Sequence, residues 1–362
     1  MENNNLNNHG QKRAPVESGV IIKLGMDVHA RQVTVCRQIG QATPQPTQRF
    51  SPDGLVGWVA KQVPTAAKVY SCYEAGPCGY VLHRRLVELG VENIVVAPRQ
   101  LDGARRQKTD RLDARALLDQ LDRYLGGNAR ALSVVRVPTV EQEQLRSQSR
   151  QRDQFSRLRR GIEARGRALL LTQGYYDEGK GPWWRPQRWE AIKPTLPDWI
   201  VERLTLWQPM AFQFDQQDRA LRAKIEMGAP KGLPRGVGAM SWVILSREIL
   251  DWSRFKNRRQ VASYTGLCPG VHTSDGRGRE GNINRCGNPR VRCALLELVW
   301  RLVRFQPDYR PVQLLRDKAA LSPRRRRKVA VAAARHLAID LWRLATGQTT
   351  AEKLGLNAVF TV

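Results

Sequence analysis

Four acidic residues in the first third of the chain have the types and positions expected of a metal site. Asp27 and Glu74 each follow a predicted strand, while Asp110 and Asp113 lie three residues apart and so share one face of a predicted helix. Magnesium prefers hard oxygen ligands, and paired ions activate a nucleophile and stabilise a leaving oxygen. For any single acid an ordinary cap, ion pair or turn is the better explanation, but all four in this order favour a divalent-metal site.

The charge of the chain indicates what such a site would act on. Of 362 residues, 60 are lysine or arginine and 33 are acidic, which gives a formal net charge of +27. Sequence-independent contact with a nucleic-acid backbone is the simplest use of this excess, with an anionic membrane surface as the alternative. No apolar run reaches transmembrane length and no signal peptide is recognisable. We therefore expect phosphoryl-transfer chemistry on DNA or RNA and no membrane partner.

The elements that must position the acids alternate between strands and helices. After a polar lead-in over 1–18 that is predicted to be disordered, runs of β-forming residues predict paired strands over 19–26 and 31–39. Further strands are predicted over 68–73 and 93–97, with helices over 55–63, 79–89 and 108–125. A hairpin followed by alternating helices and strands predicts an α/β domain of the RNase H-like type over 19–137.

The character of the chain changes near Pro138. Residues 140–171 are rich in Gln, Arg and Glu and predict a long solvated helix, so the region 138–227 is interpreted as a helical, coiled-coil linker. Its tryptophans are expected to pack at the end of a helical hairpin rather than to stack on bases. A mainly helical domain is predicted over 228–347 and a tail over 348–362. The predicted fold class is thus α/β plus α.

Three segments around the acids are similar to one family. Gly25-Met-Asp27-Val-His29, Tyr73-Glu74-Ala-Gly76 and Lys108-Thr-Asp110-Arg-Leu-Asp113-Ala resemble the amino-terminal domain of the DEDD transposases, the insertion-sequence recombinases that use a bridge RNA as guide. The resemblance implies a RuvC-like domain whose four acids bind Mg²⁺ (or Mn²⁺). All four family residues are present, the last two at the family's spacing.

A second set of motifs resembles the family's other domain, which carries a nucleophilic serine. These motifs are Leu267-Cys-Pro269, Thr273-Ser274-Asp275-Gly276 and the segment 281–288. Position by position the serine is Ser274, and the resemblance implies that its hydroxyl attacks a scissile phosphate to form a phosphoserine link to DNA. Taken alone, a serine in a Gly-rich loop is usually a turn residue. Thr273 replaces a frequent serine and Asp275 a frequent glycine, which leaves open which hydroxyl attacks and whether Asp275 takes part.

The resemblance also implies partners. Relatives work as RNA-guided multimers with active sites assembled from two protomers, so we expect DNA (donor element ends and target), a non-coding guide RNA and a homo-oligomer from dimer to tetramer. The cations expected to contact nucleic acid are Arg105, Arg106, Lys108, Arg277, Arg279, Arg285, Arg324, Arg325, Arg326, Arg327 and Lys328. Six cysteines without a Cys-x-x-Cys pair are expected to be reduced. The expected location is the bacterial cytoplasm, on the nucleoid when DNA is bound.

Two alternatives remain open at this stage. A metal-dependent nuclease or junction resolvase would use the same acids with water as nucleophile and would be indifferent to Ser274. A non-catalytic nucleic-acid-binding protein would use its acids only structurally, and its binding would weaken with salt. No histidine receives a strong assignment from the sequence. His29, two residues beyond Asp27, and His272, two before Ser274, are close enough in sequence to contact the site, but an incidental polar residue is the better explanation for each.

Overall fold

The chain forms two compact units that meet in sequence between Val137 and Pro138. A computed structural model describes residues 19–98, 110–175, 181–274, 277–316 and 321–357. The predicted lead-in over 1–18, the connection over 99–109 and the end of the predicted tail over 358–362 lie outside these residues. The finer division of the second unit at residue 227 stays a prediction.

The first unit is built on a five-stranded mixed sheet. Its strands are β1 (Ile21–Val28), β2 (Val33–Ile39), β3 (Gln48–Phe50), β4 (Lys68–Glu74) and β5 (Glu92–Val96). The spatial order is β3-β2-β1-β4-β5, in which β1, β2 and β3 pair antiparallel whereas β4 pairs parallel with both β1 and β5. This arrangement is compatible with the RNase H-like fold that the sequence predicts. The short edge strand β3 was not predicted.

Helices cover both faces of this sheet, and the alternation of side chains along β1 explains why. Ile22, Leu24 and Met26 are buried in a core that also takes in helices α1 (Pro52–Gln62) and α2 (Val81–Glu88). The residues between them on β1 face the other side, where helix α3 (Asp110–Leu125) packs against β1 and β2. A strand covered on both faces reads as a nearly continuous apolar run, as predicted for 19–26.

The second unit begins with two long helices that pack against each other. Helix α4 (Val140–Thr172) confirms the predicted long helix, and it is followed by α5 (Pro186–Ile192) and α6 (Asp198–Glu226). Phe155 stacks on Phe214 with ring centroids 5.8 Å apart, and Arg152 Nε lies 2.8 Å from Asp218 Oδ1. The buried positions of α4 are mainly small or polar rather than a repeating leucine seam. The coiled-coil interpretation therefore stays a prediction.

The tryptophans that precede α6 form an apolar core at the end of this helix pair. Trp183, Trp184 and Trp189 are each less than 5% exposed and pack with Leu170 and Leu204. Trp183 Nε1 also donates a hydrogen bond of 3.1 Å to the backbone oxygen of Glu163. Buried and satisfied rings of this kind are packing residues. The predicted packing role is confirmed for these three tryptophans.

The rest of the second unit is a helical bundle with one hairpin. Its helices are α7 (Ala239–Ile249), α8 (Arg258–Thr265), α9 (Pro289–Phe305), α10 (Arg310–Arg316) and α11 (Pro323–Ala345), and its strands are β6 (Pro269–Ser274) and β7 (Arg277–Ile283). Apolar faces of α7 to α11 form one core around Leu295, Leu298 and Leu337. Within the part of the chain that the structure describes, no helix is both long and apolar enough for a membrane span.

Candidate active site

Asp27 and Glu74 lie at the carboxyl ends of neighbouring parallel strands. Met26 of β1 is opposite Tyr73 of β4, so the next residue on each strand, an acid in both cases, continues the same register. In-register residues of paired strands point to the same face of the sheet. Ligands commonly bind beyond the carboxyl ends of parallel strands, because side chains from several strands meet there. The predicted convergence of these acids at one end of the sheet therefore agrees with the strand register.

Alternate residues of β1 hold helix α3 alongside the strand. Lys23 is buried and forms an ion pair with Asp122 near the end of α3. Two residues on, an added Cβ at Gly25 would come within 2.3 Å of the backbone oxygen of Ala114. No side chain fits in this space, so the backbones of β1 and α3 are in direct contact. The next residue on this face is Asp27, which is thereby brought beside the first turn of α3.

Two of the four acids and one histidine converge at this point. Asp110, in the first turn of α3, places Oδ1 3.7 Å from Nε2 of His29, and the same nitrogen lies 3.2 Å from Oδ2 of Asp27. Potential ligand atoms of these three residues all lie within 4.8 Å of one another. Among the described residues, the carboxylates of Glu74 and Asp113 fall outside this group of three. Asp113 shares the first turn of α3 with Asp110.

The carboxyl of Asp27 lies among groups that shift its pKa in opposite directions. Burial raises the pKa of its carboxyl, His29 lowers this pKa in part, and the negative charges of Asp110 and Asp113 raise it again. Carboxylates brought together in this way repel one another, and a divalent cation relieves that repulsion while using their oxygens as ligands. The residues present therefore fit a divalent metal ion.

His29 is the residue of this site to which the sequence gave no strong assignment. It begins the four-residue turn between β1 and β2, in which its N–H donates a hydrogen bond of 2.9 Å to the backbone oxygen of Gln32. Its spacing of two from Asp27 was a usable signal, since residues i and i+2 of a strand lie on one face. The signal was weak because it requires residue 29 to keep an extended backbone, whereas β1 ends at Val28.

Ser274 ends strand β6 of the hairpin in the second unit. The backbone register pairs Ser274 with Arg277 and Thr273 with Gly278, while Asp275 and Gly276, which connect the strands, lie outside the described residues. The sequence indicated a non-helical stretch here without predicting strands. An Asp-Gly pair between two extended runs favours a tight hairpin, and it was the available signal.

The base of this hairpin is held by backbone contacts between the two motifs that flank it. Gly266 has φ +65° and its carbonyl accepts a hydrogen bond of 3.2 Å from the N–H of Arg285. A Cβ added at Gly287 would lie 2.2 Å from the backbone oxygen of Tyr264. Glycine is needed at both positions, at one for its dihedral angle and at the other for space. These contacts explain the glycines at positions 266 and 287, one on each side of the hairpin.

A buried carboxylate joins helix α4 to the segment that follows the hairpin. Glu248 is 1% exposed at its side chain, and its Oε2 lies 3.2 Å from Arg146, 3.1 Å from Arg150 and 3.0 Å from Nδ2 of Asn288. Burial alone would raise the pKa of Glu248, but hydrogen bonds from Arg150 and Asn288 and the charge of Arg146 outweigh it and hold this pKa below its usual range. The sequence did not identify this network.

The cations predicted to contact nucleic acid are only partly described. Arg105, Arg106 and Lys108 lie outside the described residues, and for Arg277 and Arg279 the structure describes the strand backbone alone. Exposed side chains are found at Arg285, Arg324, Arg325, Arg327 and Lys328. Arg326 instead packs over the ring of Trp300 and donates a hydrogen bond of 3.2 Å to the backbone oxygen of Leu315. It is therefore the cation of this run least available to a phosphate.

Comparison of the sequence with known proteins finds matches to transposases in both units of the chain. Residues 24–174 match the model of a DEDD, IS110-type family described as transposase, and residues 234–312 match that of the transposase IS116/IS110/IS902 family. A Sinorhizobium fredii protein named as transposase y4rJ is 30% identical over 300 residues, which cover 75% of each chain. A second protein of that organism, named as transposase y4qE, is 31% identical over 248 residues, or 64% of this chain and 58% of the relative.

A more distant relative extends the match along more of the chain. The transposase for insertion sequence element IS1111A of Coxiella burnetii is 23% identical over 314 residues, which cover 80% of this chain and 82% of the relative. Both family models and the relatives agree in describing a transposase, a class that binds DNA and in its DEDD form uses a divalent metal. The chain therefore belongs to the IS110-type family of DEDD transposases and is a DNA transposase.

Proposed function

We propose that this transposase cleaves and rejoins DNA with Mg²⁺ held by Asp27, Glu74, Asp110 and Asp113 and with Ser274 as the nucleophile. The observation that carries the proposal is the convergence of Asp27 and Asp110 at the end of a mixed sheet, with Glu74 in register beside Asp27 and Asp113 on the same helical turn as Asp110. The proposal also takes the first unit to be a RuvC-like domain.

The role of the serine follows from the chemistry of a protein nucleophile. Ser274 Oγ forms a bond to the scissile phosphorus, the bond to one deoxyribose oxygen breaks, and the hydroxyl proton is finally carried by that leaving oxygen. The phosphoserine link conserves the phosphodiester for rejoining to another strand. When bound, the metal supplies charge stabilisation on the phosphate and on the leaving oxygen. Exposed Arg285, which follows the hairpin, is suited to neutralising phosphate charge.

Guidance by an RNA and assembly into a homo-oligomer complete the proposal. A net charge of +27 and the exposed cations at the start of α11 are suited to contact with a phosphate backbone. Base pairing with a guide would read the DNA sequence, so the protein itself would need few base contacts. Sequencing the RNA that co-purifies with the full-length chain tests this part directly.

The nucleophile is tested by trapping the protein–DNA adduct. The full chain is incubated with Mg²⁺, its co-purified RNA and DNA carrying the element ends, then denatured in SDS and separated by electrophoresis. We expect an SDS-resistant adduct that Ser274→Ala abolishes and that Ser263→Ala, an exposed serine of α8, leaves intact. A Thr273→Ala arm shows which hydroxyl attacks, since loss with Thr273→Ala alone would transfer the role to the threonine.

Cleavage and strand-exchange assays on the same variants separate the proposal from a hydrolytic nuclease and from a mechanism that does not use these residues. DNA cleavage that needs Asp27 but proceeds without an adduct when Ser274 is replaced would identify a hydrolytic nuclease that uses water. Strand exchange that persists in both Asp27→Asn and Ser274→Ala would remove the catalytic role from these residues. Either result overturns the proposed mechanism.

A further inference from the structure

We propose that His29 is a ligand of the metal, so that the centre is a mixed carboxylate–imidazole site rather than one built from acids alone. The inference rests on the proposed function, since it concerns the same metal. It goes beyond that function because it adds the imidazole nitrogen of His29 to the acidic ligands. It also predicts that this nitrogen affects which divalent metal the site prefers.

The distances around His29 suit a shared metal ion. Its Nε2 lies 3.2 Å from Asp27 Oδ2 and 3.7 Å from Asp110 Oδ1. In an octahedron with bonds of about 2.1 Å, neighbouring ligand atoms are about 3.0 Å apart and opposite ones about 4.2 Å apart. Both measured distances fall between these values. The first distance is close to that of neighbouring ligands, so these three side chains would hold one ion after small movements of the Asp110 and His29 side chains.

The backbone holds His29 where this role requires it. Asp27 and Val28 are still paired in the sheet, opposite Thr34 and Val33, and the turn that follows is closed by the hydrogen bond from the His29 N–H to Gln32. The approach of His29 Nε2 to Asp27 Oδ2, at 3.2 Å, places both side chains on the same side of the strand end. A ligand on a short closed turn after a paired strand is held more firmly than one on a long loop.

The surroundings of the imidazole fit a metal ligand better than a buried structural histidine. Its side chain is 57% exposed, so a metal and its waters can approach from solvent. Val28, Ala30, Pro77 and Cys78 line an apolar groove along its other side.

A nitrogen ligand changes which metals the site prefers. Mg²⁺ is bound almost entirely through oxygen, whereas first-row transition ions also accept imidazole nitrogen, and Mn²⁺ has the lowest affinity of that series. Replacing the imidazole should therefore weaken Mn²⁺ binding more than Mg²⁺ binding. If His29 were only an ion-pair partner of Asp27, its loss would not alter the ratio of the two affinities.

The direct test is pulsed electron paramagnetic resonance of Mn²⁺ bound to the full chain. We expect a hyperfine coupling to an imidazole nitrogen in the wild type, altered by selective ¹⁵N-histidine labelling and lost in His29→Gln. His336→Gln, which replaces an exposed histidine of α11, should keep the signal. In titrations, His29→Gln should weaken Mn²⁺ binding at least about tenfold, and Mg²⁺ binding by a smaller factor.

The outcomes distinguish this inference from the proposed function. Mn²⁺ that binds the wild type and is lost in Asp27→Asn, but gives no nitrogen coupling, overturns the role of His29 and leaves the carboxylate site standing. Mn²⁺ binding that Asp27→Asn does not weaken overturns the metal site itself. Because the wild-type spectrum needs no substitution, the test does not depend on the folding of a variant.

Discussion

Gly25 of β1 lies so close to Ala114 of α3 that a Cβ on the glycine would be 2.3 Å from the backbone oxygen of the alanine. The contact occurs two residues before Asp27 on the strand and four residues after Asp110 on the helix. It therefore sets the distance between the two acids that lie nearest His29. The glycine in the Gly-Met-Asp segment is explained by this close approach of two backbones and not by any special dihedral angle.

Gly25→Ala should consequently destabilise the first unit by about 1–3 kcal/mol or more, because the backbone of α3 has to move. Gly57→Ala is the matched control, since Gly57 lies within α1 and an added Cβ there meets nothing within 4 Å. The control should stabilise by about 0.5–1 kcal/mol. Urea unfolding measures both. Equal effects of the two substitutions would contradict the close contact.

Asp27→Asn should abolish transposition without destabilising the metal-free protein. The burial and the like charges that raise the pKa of Asp27 disfavour its charged form, so the neutral amide relieves an unfavourable interaction. Added metal at a hundredfold excess over its dissociation constant should stabilise the wild type by about 2.7 kcal/mol. The variant should gain much less. Thermal unfolding with and without Mg²⁺ measures this difference.

The control for that prediction is Asp53→Asn, which removes an exposed acid paired with Arg85. This variant should respond to Mg²⁺ as the wild type does. A metal response that survives in Asp27→Asn would exclude Asp27 as a ligand.

Glu248→Gln should destabilise the second unit by about 1–3 kcal/mol, because it takes the charge from a buried carboxylate that pairs with the mostly buried Arg146 and with the partly exposed Arg150. Glu226→Gln removes a partly exposed pair with Arg222 on α6 and should cost about 0.3–0.5 kcal/mol. Urea unfolding of the two variants under the same conditions provides the comparison. A cost for Glu248→Gln no larger than that of the control would mean that the buried network contributes little.

Gly166→Ala and Gly161→Ala should have opposite effects although both lie within α4. A Cβ at Gly166 would come within 2.3 Å of the Trp183 ring, whereas at Gly161 it meets nothing within 4 Å. The first substitution should cost about 1–3 kcal/mol, since the ring has to leave its packed position. The second should stabilise by about 0.5–1 kcal/mol. Tryptophan fluorescence during urea unfolding reports on both, and a neutral Gly166→Ala would be inconsistent with the packing of Trp183.

His83 should make the stability of the first unit depend on pH. Its Nδ1 accepts a hydrogen bond of 2.8 Å from Asn93 Nδ2, and burial is the main cause of its lowered pKa. In the unfolded chain histidine takes up a proton near pH 6.5, but in the folded chain it does so only at lower pH. Between these values the unfolded state holds the extra proton, so stability falls as the pH drops below about 6.5 and levels off below the folded-state pKa.

Replacing this histidine separates its contribution from that of other titrating groups. His83→Gln should flatten the pH dependence of the unfolding free energy on the acid side of neutrality, while His336→Gln, an exposed position of α11, should retain the wild-type dependence. Urea unfolding at a series of pH values measures the slopes. Identical slopes in all three proteins would mean that His83 is protonated equally in both states.

The sequence by itself determined the types and order of the proposed catalytic residues, the long helix α4 and the alternation of strands and helices in the first unit. These features depend on residues that are close together in the sequence. The periodicity of apolar side chains predicts a helix or a strand, and the spacing of Asp110 and Asp113 places both on one face of a helix. The same local signals failed for β3, which has only three residues and no buried side chain. They were also insufficient for the hairpin whose first strand ends at Ser274.

The tertiary structure alone decided which of these residues meet. Asp27 and Asp110 are far apart in the chain, and their approach depends on the register of β1 and on the contact of Gly25 with α3. The position of His29 beside Asp27 and Asp110 also depends on these contacts. Glu248 contacts Arg146 and Arg150 because α7 packs against α4. Distances between residues remote in sequence follow from register and packing, which short-range patterns do not encode.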